Sequence, residues 1–100
     1  MANFEHLALL EAGGIKWIEW RNKPPHIQPD LSEANLQGWN LRGACLQGAN
    51  LRKADLSDAL LVGANLSNAE LGGANLHQAI LSEANLFAAN LSIVNLSYAD

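Results

Sequence analysis

The sequence predicts a solenoid preceded by a short helical segment, and three observations carry that expectation. From Leu31 to Leu96 a leucine falls at every fifth residue without exception. Two residues before each leucine stands Ala in eleven of fourteen cases, and directly before it Asn or Asp in ten, so the unit reads A-N/D-L-x-x. Residues 1–28 contain no such unit. A fixed short period marks a repeat architecture and outranks local propensity.

A period of five suits neither ordinary element. On a helix, five residues step successive leucines by about 140° around the axis, which makes no stripe. On a flat strand, where side chains alternate, an odd spacing sends every second leucine to the opposite face. All fourteen leucines stay on one side only if the chain turns a corner once per pentad. Repeated corners wind it into a coil with Leu and Ala inside, and with Asn/Asp and the two x positions outside. Gly38, Gly43, Gly48, Gly63 and Gly73 fall at the second x position, where corners demand unusual backbone angles.

These pentads resemble the pentapeptide repeat family, whose consensus is A-D/N-L-x-x, in a small cyanobacterial-type form. The likeness covers residues 29–100. It implies an all-β solenoid, a right-handed quadrilateral β-helix with four pentads per coil. Residues 29–100 would then make about 3.6 coils, a stub of roughly 17 Å at the usual strand spacing. The expected division is a helical cap and linker over 1–28 and the β-helix over 29–100.

In the first part, Asn3 is placed as an N-cap and Phe4, Leu7, Ala8 and Leu10 follow at helical spacing until Gly13-Gly14. Ile15, Trp17, Ile18 and Trp20 suggest a further short helical turn, and Pro24-Pro25-His26-Ile27-Gln28-Pro29 an extended linker. A solenoid's first coil exposes leucines and unpaired backbone, so a terminal cap is required. Trp39 stands at an inward position usually held by Ala, which a cap interface accommodates better than a stacked interior. Trp17 or Trp20 packed near Trp39 is therefore expected as a structural cap, with an aromatic ligand pocket as the alternative. WxxWR leaders resembling Trp17–Arg21 precede pentapeptide repeats in cyanobacterial proteins.

At the other end the run stops at Tyr98-Ala99-Asp100, one residue short of the next leucine. The last coil is expected to be uncapped, leaving Leu86, Leu91 and Leu96 and a row of backbone groups to be covered. The expected partner is protein: a second copy of this chain, or a neighbouring chain that carries further pentads. Fraying of the last residues is the alternative. Leu60 and Ile80 stand where Asn or Asp is usual, with Val62 beside them, as an outward apolar patch. Phe87 and Ile93 add apolar surface near the last coil. The candidate interface is thus Leu60, Val62, Ile80, Phe87, Leu91, Ile93, Leu96 and Tyr98.

Other function classes find little support. Apolar residues are 49% of the chain and charged residues 16%, and the net charge is −4, which argues against phosphate-driven nucleic-acid binding. No apolar run nears the roughly 20 residues of a membrane span, and Met1–Gly14 lacks a secretory-signal pattern. The single cysteine, Cys45, excludes an internal disulfide, fits the cytoplasm and is expected to point outward as an inert thiol. His6, His26 and His77 are scattered, and no metal or cofactor is expected. Asp55 and Asp58 are the one carboxylate pair with a conceivable catalytic use, but on a convex exterior. Some members of the family bind DNA gyrase as mimics of duplex DNA and confer fluoroquinolone resistance. That is the alternative to a non-catalytic structural and interaction module, although those rods are longer and more acidic.

Overall fold

The computed structural model describes all 100 residues and measures 37 × 23 × 23 Å along its principal axes. Helix α1 (Phe4–Glu11) starts where the Asn3 side chain accepts the N–H groups of Glu5 and His6, two donors that a helix start otherwise leaves unpaired. Ala12 closes it, and Gly13, at a φ of 110°, turns the chain straight into α2 (Gly14–Arg21). The second helix has eight residues rather than one turn. A helix this short is marginal by itself, and contacts of Trp17 and Arg21 with the first coil hold it. Residues 22–28 then lead into the first pentad, where Pro29 is buried.

From there the chain winds in a constant register. Parallel bridges join residues twenty apart, from Asp30 with Asn50 and Asn35 with Asp55 through to Asn75 with Asn95. Four pentads therefore make one turn, and the leucines form four columns, headed by Leu31, Leu36, Leu41 and Leu46. Each corner is a turn in which the leucine carbonyl accepts the N–H of the residue three further on, as Leu51 does from Ala54 at 3.0 Å.

The second residue after every leucine is left-handed. The five glycines expected there have φ between 65° and 73°. The other nine corners, from Glu33 to Tyr98, hold side-chain-bearing residues at φ between 58° and 61°. A conformation that costs an L-residue roughly 1–2 kcal/mol is imposed by the stack, because the N–H at the corner must reach the next coil: Lys53 N donates to the Gly72 carbonyl at 2.9 Å.

The Asn and Asp residues do not simply point outward. Their Oδ1 atoms accept the N–H two residues on, as in Asn35 to Gln37, Asp55 to Ser57, Asn65 to Ser67 and Asn95 to Ser97. The side chain therefore satisfies a backbone donor that the coil-to-coil ladder leaves over. In the middle of the rod they are half-buried.

Leu31, Leu36 and every column leucine from Leu46 to Leu76 are fully buried, with Ala filling the space beside them. The seal opens along the last coil: Leu81 and Leu86 are half-buried, while Leu91 and Leu96 are 38% and 43% exposed.

Candidate functional site

The hydrogen bonding between coils has a direction, and it makes the two ends of the rod chemically different. Each pentad donates two N–H groups to the following coil, from the leucine and from the corner residue: Leu51 to the Glu70 carbonyl and Lys53 to that of Gly72. It receives one N–H back, as Ala54 O does from Asn75 N. The first-coil edge is consequently rich in acceptors. Its free groups are the carbonyls before and after each leucine and the N–H before it. The last-coil edge is rich in donors.

The helical leader meets the acceptor-rich edge with donors. Trp17 Nε1 reaches the Cys45 carbonyl at 2.8 Å, and the Arg21 guanidinium spans from that oxygen at 3.0 Å to the Gln47 carbonyl at 2.7 Å. Across the coil, Asn3 N donates to the Asp30 carbonyl at 3.0 Å, and Asp30 N donates to His6 Nδ1 at 2.9 Å. Trp17 and Arg21 lie four apart on α2 and so share one face. Trp17 is 1% exposed. Burial holds the Arg21 guanidinium below its ordinary value, with Cys45 acting in the opposite sense.

Trp17 or Trp20 is expected to pack near Trp39. Their rings meet each other instead, 5.3 Å apart, and Trp20 also meets His6 at 4.7 Å. Trp39 is half-buried against the same core without a ring contact to either, because its inward position lies on the column of Leu41 while α2 is tied down over Cys45 and Gln47. Arg21 is the residue that composition and periodicity missed. Its spacing from Trp17 and the bare carbonyls of a first coil were the available signal.

Cys45 is likewise corrected. It does not stand free on the exterior but is half-buried, lining a cleft of about 120 Å3 between Leu10, Trp17 and Ile18 of the leader and Leu41 and Ala44 of the first coil. Its carbonyl, not its thiol, is the group in use. Where the linker crosses this face, the Gln28 side chain occupies the space a Cβ on Gly48 would need, so a substitution there would push that flexible side chain aside.

At the other end, seven backbone N–H groups, those of Glu83, Leu86, Ala88, Leu91, Ile93, Leu96 and Tyr98, point along the axis with no partner in this chain. The carbonyls of Ala84, Ala89, Val94 and Ala99 accompany them. Phe87, Ile93 and Tyr98 rim this surface and are 77%, 92% and 82% exposed. Ile93 combines a φ of 58° with a β-branched side chain, a rare pairing whose strain is often found at functional surfaces.

The remaining candidates lie along the sides of the rod. Leu60 and Ile80 are bridged neighbours on one column and, with Val62, half-buried rather than a protruding patch, since each covers the other. Arg52 pairs with Glu70 at 3.3 Å, and Asn90 donates to the same carboxylate. His77 meets Ser97 Oγ at 2.6 Å and the Tyr98 ring edge-on at 5.5 Å. Asp55 takes both the N–H and the hydroxyl of Ser57, so it serves its turn, while Asp58 is exposed at the corner of the same turn. No three His, Cys, Asp or Glu side chains converge on a point where a metal ion fits, and no helix is long and apolar enough to cross a membrane.

The family model for pentapeptide repeats matches residues 27–58 and 59–97, with eight copies. The chain belongs to the pentapeptide repeat family. Among solved structures it is similar to a pentapeptide repeat protein from the Arabidopsis thaliana thylakoid lumen, with 37% identity over 70% of this chain and a TM-score of 0.69. It is also similar to Rfr23, a pentapeptide repeat protein from the cyanobacterium Cyanothece 51142, with 34% identity over 73% of this chain and a TM-score of 0.60. These likenesses make the solenoid a right-handed β-helix. The matched regions span 48% and 56% of those two proteins, so the chain corresponds to about half of each. No curated protein matches it.

Proposed function

We propose that this pentapeptide repeat chain is a non-catalytic structural and interaction module that binds protein through its last coil. The observation that carries this reading is the pair Leu91 and Leu96, 38% and 43% exposed on a coil whose seven axial N–H groups have no partner. Leucines that are fully buried elsewhere in the same columns, beside unpaired strand-edge donors, form a surface that favours being covered. The partner is a second copy of this chain or another pentapeptide-repeat chain, in the cytoplasm.

The interior supports a non-catalytic reading, because Leu and Ala fill it. A gyrase-binding mimic of DNA needs a continuous acidic face, and here Glu70 is paired with Arg52 and Glu33 with the N-terminal ammonium. The outer column of Leu60 and Ile80, with Val62 beside it, is the second surface on which the module can act, supported by apolar side chains at two positions where Asn or Asp is usual.

Light scattering on a sizing column over a wide concentration range tests the reading. Mass rising above 10.7 kDa for the unaltered chain, alone or mixed with another pentapeptide-repeat chain, but not for Leu96→Arg, is the expected result. Association that persists in Leu96→Arg moves the contact to the Leu60–Ile80 column. A monomer at every concentration, still monomeric when mixed with other pentapeptide-repeat chains, removes the reading.

A further inference from the structure

Resting on that reading of the last coil, we infer which surface it takes: the bare first-coil edge of another pentapeptide-repeat run, stacked head to tail in unbroken register. The helical leader is what stops a copy of this chain from serving as that partner.

The argument is one of donor and acceptor count. The last coil presents seven free N–H groups against four carbonyls, and its interior is a ring of Leu81, Leu86, Leu91 and Leu96. Two such edges facing each other would bring donors against donors, with too few carbonyls to satisfy them. Unpaired amides shielded from water are costly. A first-coil edge is the complement. In this chain its carbonyls are those of Asp30, Asn35, Asn40 and Cys45 before the leucines, and of Ser32, Gln37, Arg42 and Gln47 after them. Every internal junction of the rod already makes this match, two bonds forward and one back per pentad, so a stacked edge would only continue the ladder from Leu81, whose N–H already meets the Asp100 carbonyl at 2.7 Å.

The same count explains the composition of the leader. It brings four donated bonds, from Trp17, from Arg21 twice and from Asn3, and one acceptor, His6 Nδ1. That is the donor-rich pattern of a last coil, supplied by side chains. It covers the carbonyls of Asp30, Cys45 and Gln47, while Asn35, Gln37, Asn40 and Arg42 remain exposed on the two columns between. The leader thus imitates the end that would otherwise dock there. With both edges bare on one chain, the contact would be heterologous and non-closing, and copies would add without limit.

The test disables the leader in the full chain. Trp17→Ala with Arg21→Ala removes three of the donors, and Arg21→Glu alone replaces two of them with a carboxylate while keeping Trp17. Mass is followed against concentration, and amide hydrogen exchange is followed over residues 81–100. The expected result is growth past twice the chain mass, slowed exchange at the axial amides of the last coil, and loss of both when Leu96→Arg is added. Unaltered protein has a free last coil and a closed first coil, so it should act as a chain stopper: adding it shortens the assemblies in proportion to its amount. Growth indifferent to unaltered protein or to Leu96→Arg is nonspecific aggregation of a loosened leader and overturns the inference. So does a leader variant that stops at a dimer. A dimer of the unaltered chain that Leu96→Arg abolishes would overturn head-to-tail stacking alone and leave the interaction role standing. Absence of association in every variant would overturn the inference, and absence also on mixing with other pentapeptide-repeat chains would overturn both.

Discussion

Leu66 and Leu96 are the same residue at the same place in the pentad, but one is sealed and the other is 43% exposed. Truncating each to Ala separates packing from mere membership in the repeat. Leu→Ala removes three carbons, a transfer loss of about 2.4 kcal/mol for a fully buried side chain at about 0.8 kcal/mol per carbon. At Leu66, between Leu46 and Leu86 in its column, neighbouring coils cannot collapse inward because their ladder fixes the spacing. The vacated space, on the order of 80 Å3, adds roughly 2 kcal/mol. Leu66→Ala should therefore cost about 4 kcal/mol. At Leu96 a little over half of the transfer term applies, and the space opens to solvent, so about 1.4 kcal/mol is expected. Urea denaturation followed by circular dichroism reads both variants against the unaltered chain. Equal costs at low protein concentration would refute the reasoning, since they would mean that the interior is not close-packed at Leu66. Costs that converge only as concentration rises would instead show the last coil being covered.

Three further outcomes follow from particular contacts. Arg21→Ala should lose about 2–4 kcal/mol, since two charge-assisted bonds to half-buried carbonyls disappear. Arg21→Lys should recover only part, because an ammonium cannot bridge the Cys45 and Gln47 carbonyls as the planar fork does; thermal denaturation of the three proteins checks the order. Ile80→Asn should restore an acceptor for the Ser82 N–H and raise stability by roughly 0.5–1 kcal/mol. A loss instead would show that stacking of Ile80 on Leu60 outweighs the turn. The Ser32 hydroxyl and N–H hold the Asp30 carboxyl below its usual range. A lowered folded-state value means stability that is intact above about pH 4, the unfolded value, and lost as pH falls through the folded one. Asp30→Asn keeps the accepting oxygen and should flatten that acid limb in pH-dependent melting, leaving neutral stability little changed.

Much of this molecule is legible in its sequence because a repeat states its own geometry many times over. The period of five, with leucine as the one invariant residue, leaves only a coil with a corner per pentad, and the glycines at Gly38, Gly43, Gly48, Gly63 and Gly73 mark those corners. Asn3 and Gly13 announce the helix boundaries by local chemistry. What stayed hidden is whatever depends on the neighbouring coil. Glu33, Lys53 and Ile93 carry no sign of a left-handed backbone; the stack above and below imposes it. The bend of Asn and Asp back onto their own turns is visible only once the ladder shows which N–H groups are left over.

The two ends divide in the same way. The sequence by itself determined that there is a solenoid, that it has fourteen pentads' worth of Leu and Ala to bury, and that residues 1–28 stand outside the repeat. Only the tertiary structure decided how the leader closes the first coil, choosing Arg21 and the Cys45 carbonyl over a cluster around Trp39. The physical reason is that backbone hydrogen-bond direction is a property of the wound chain. A pentad has the same donors and acceptors wherever it stands, and only stacking determines which of them face forward, which face back, and which remain free at each end.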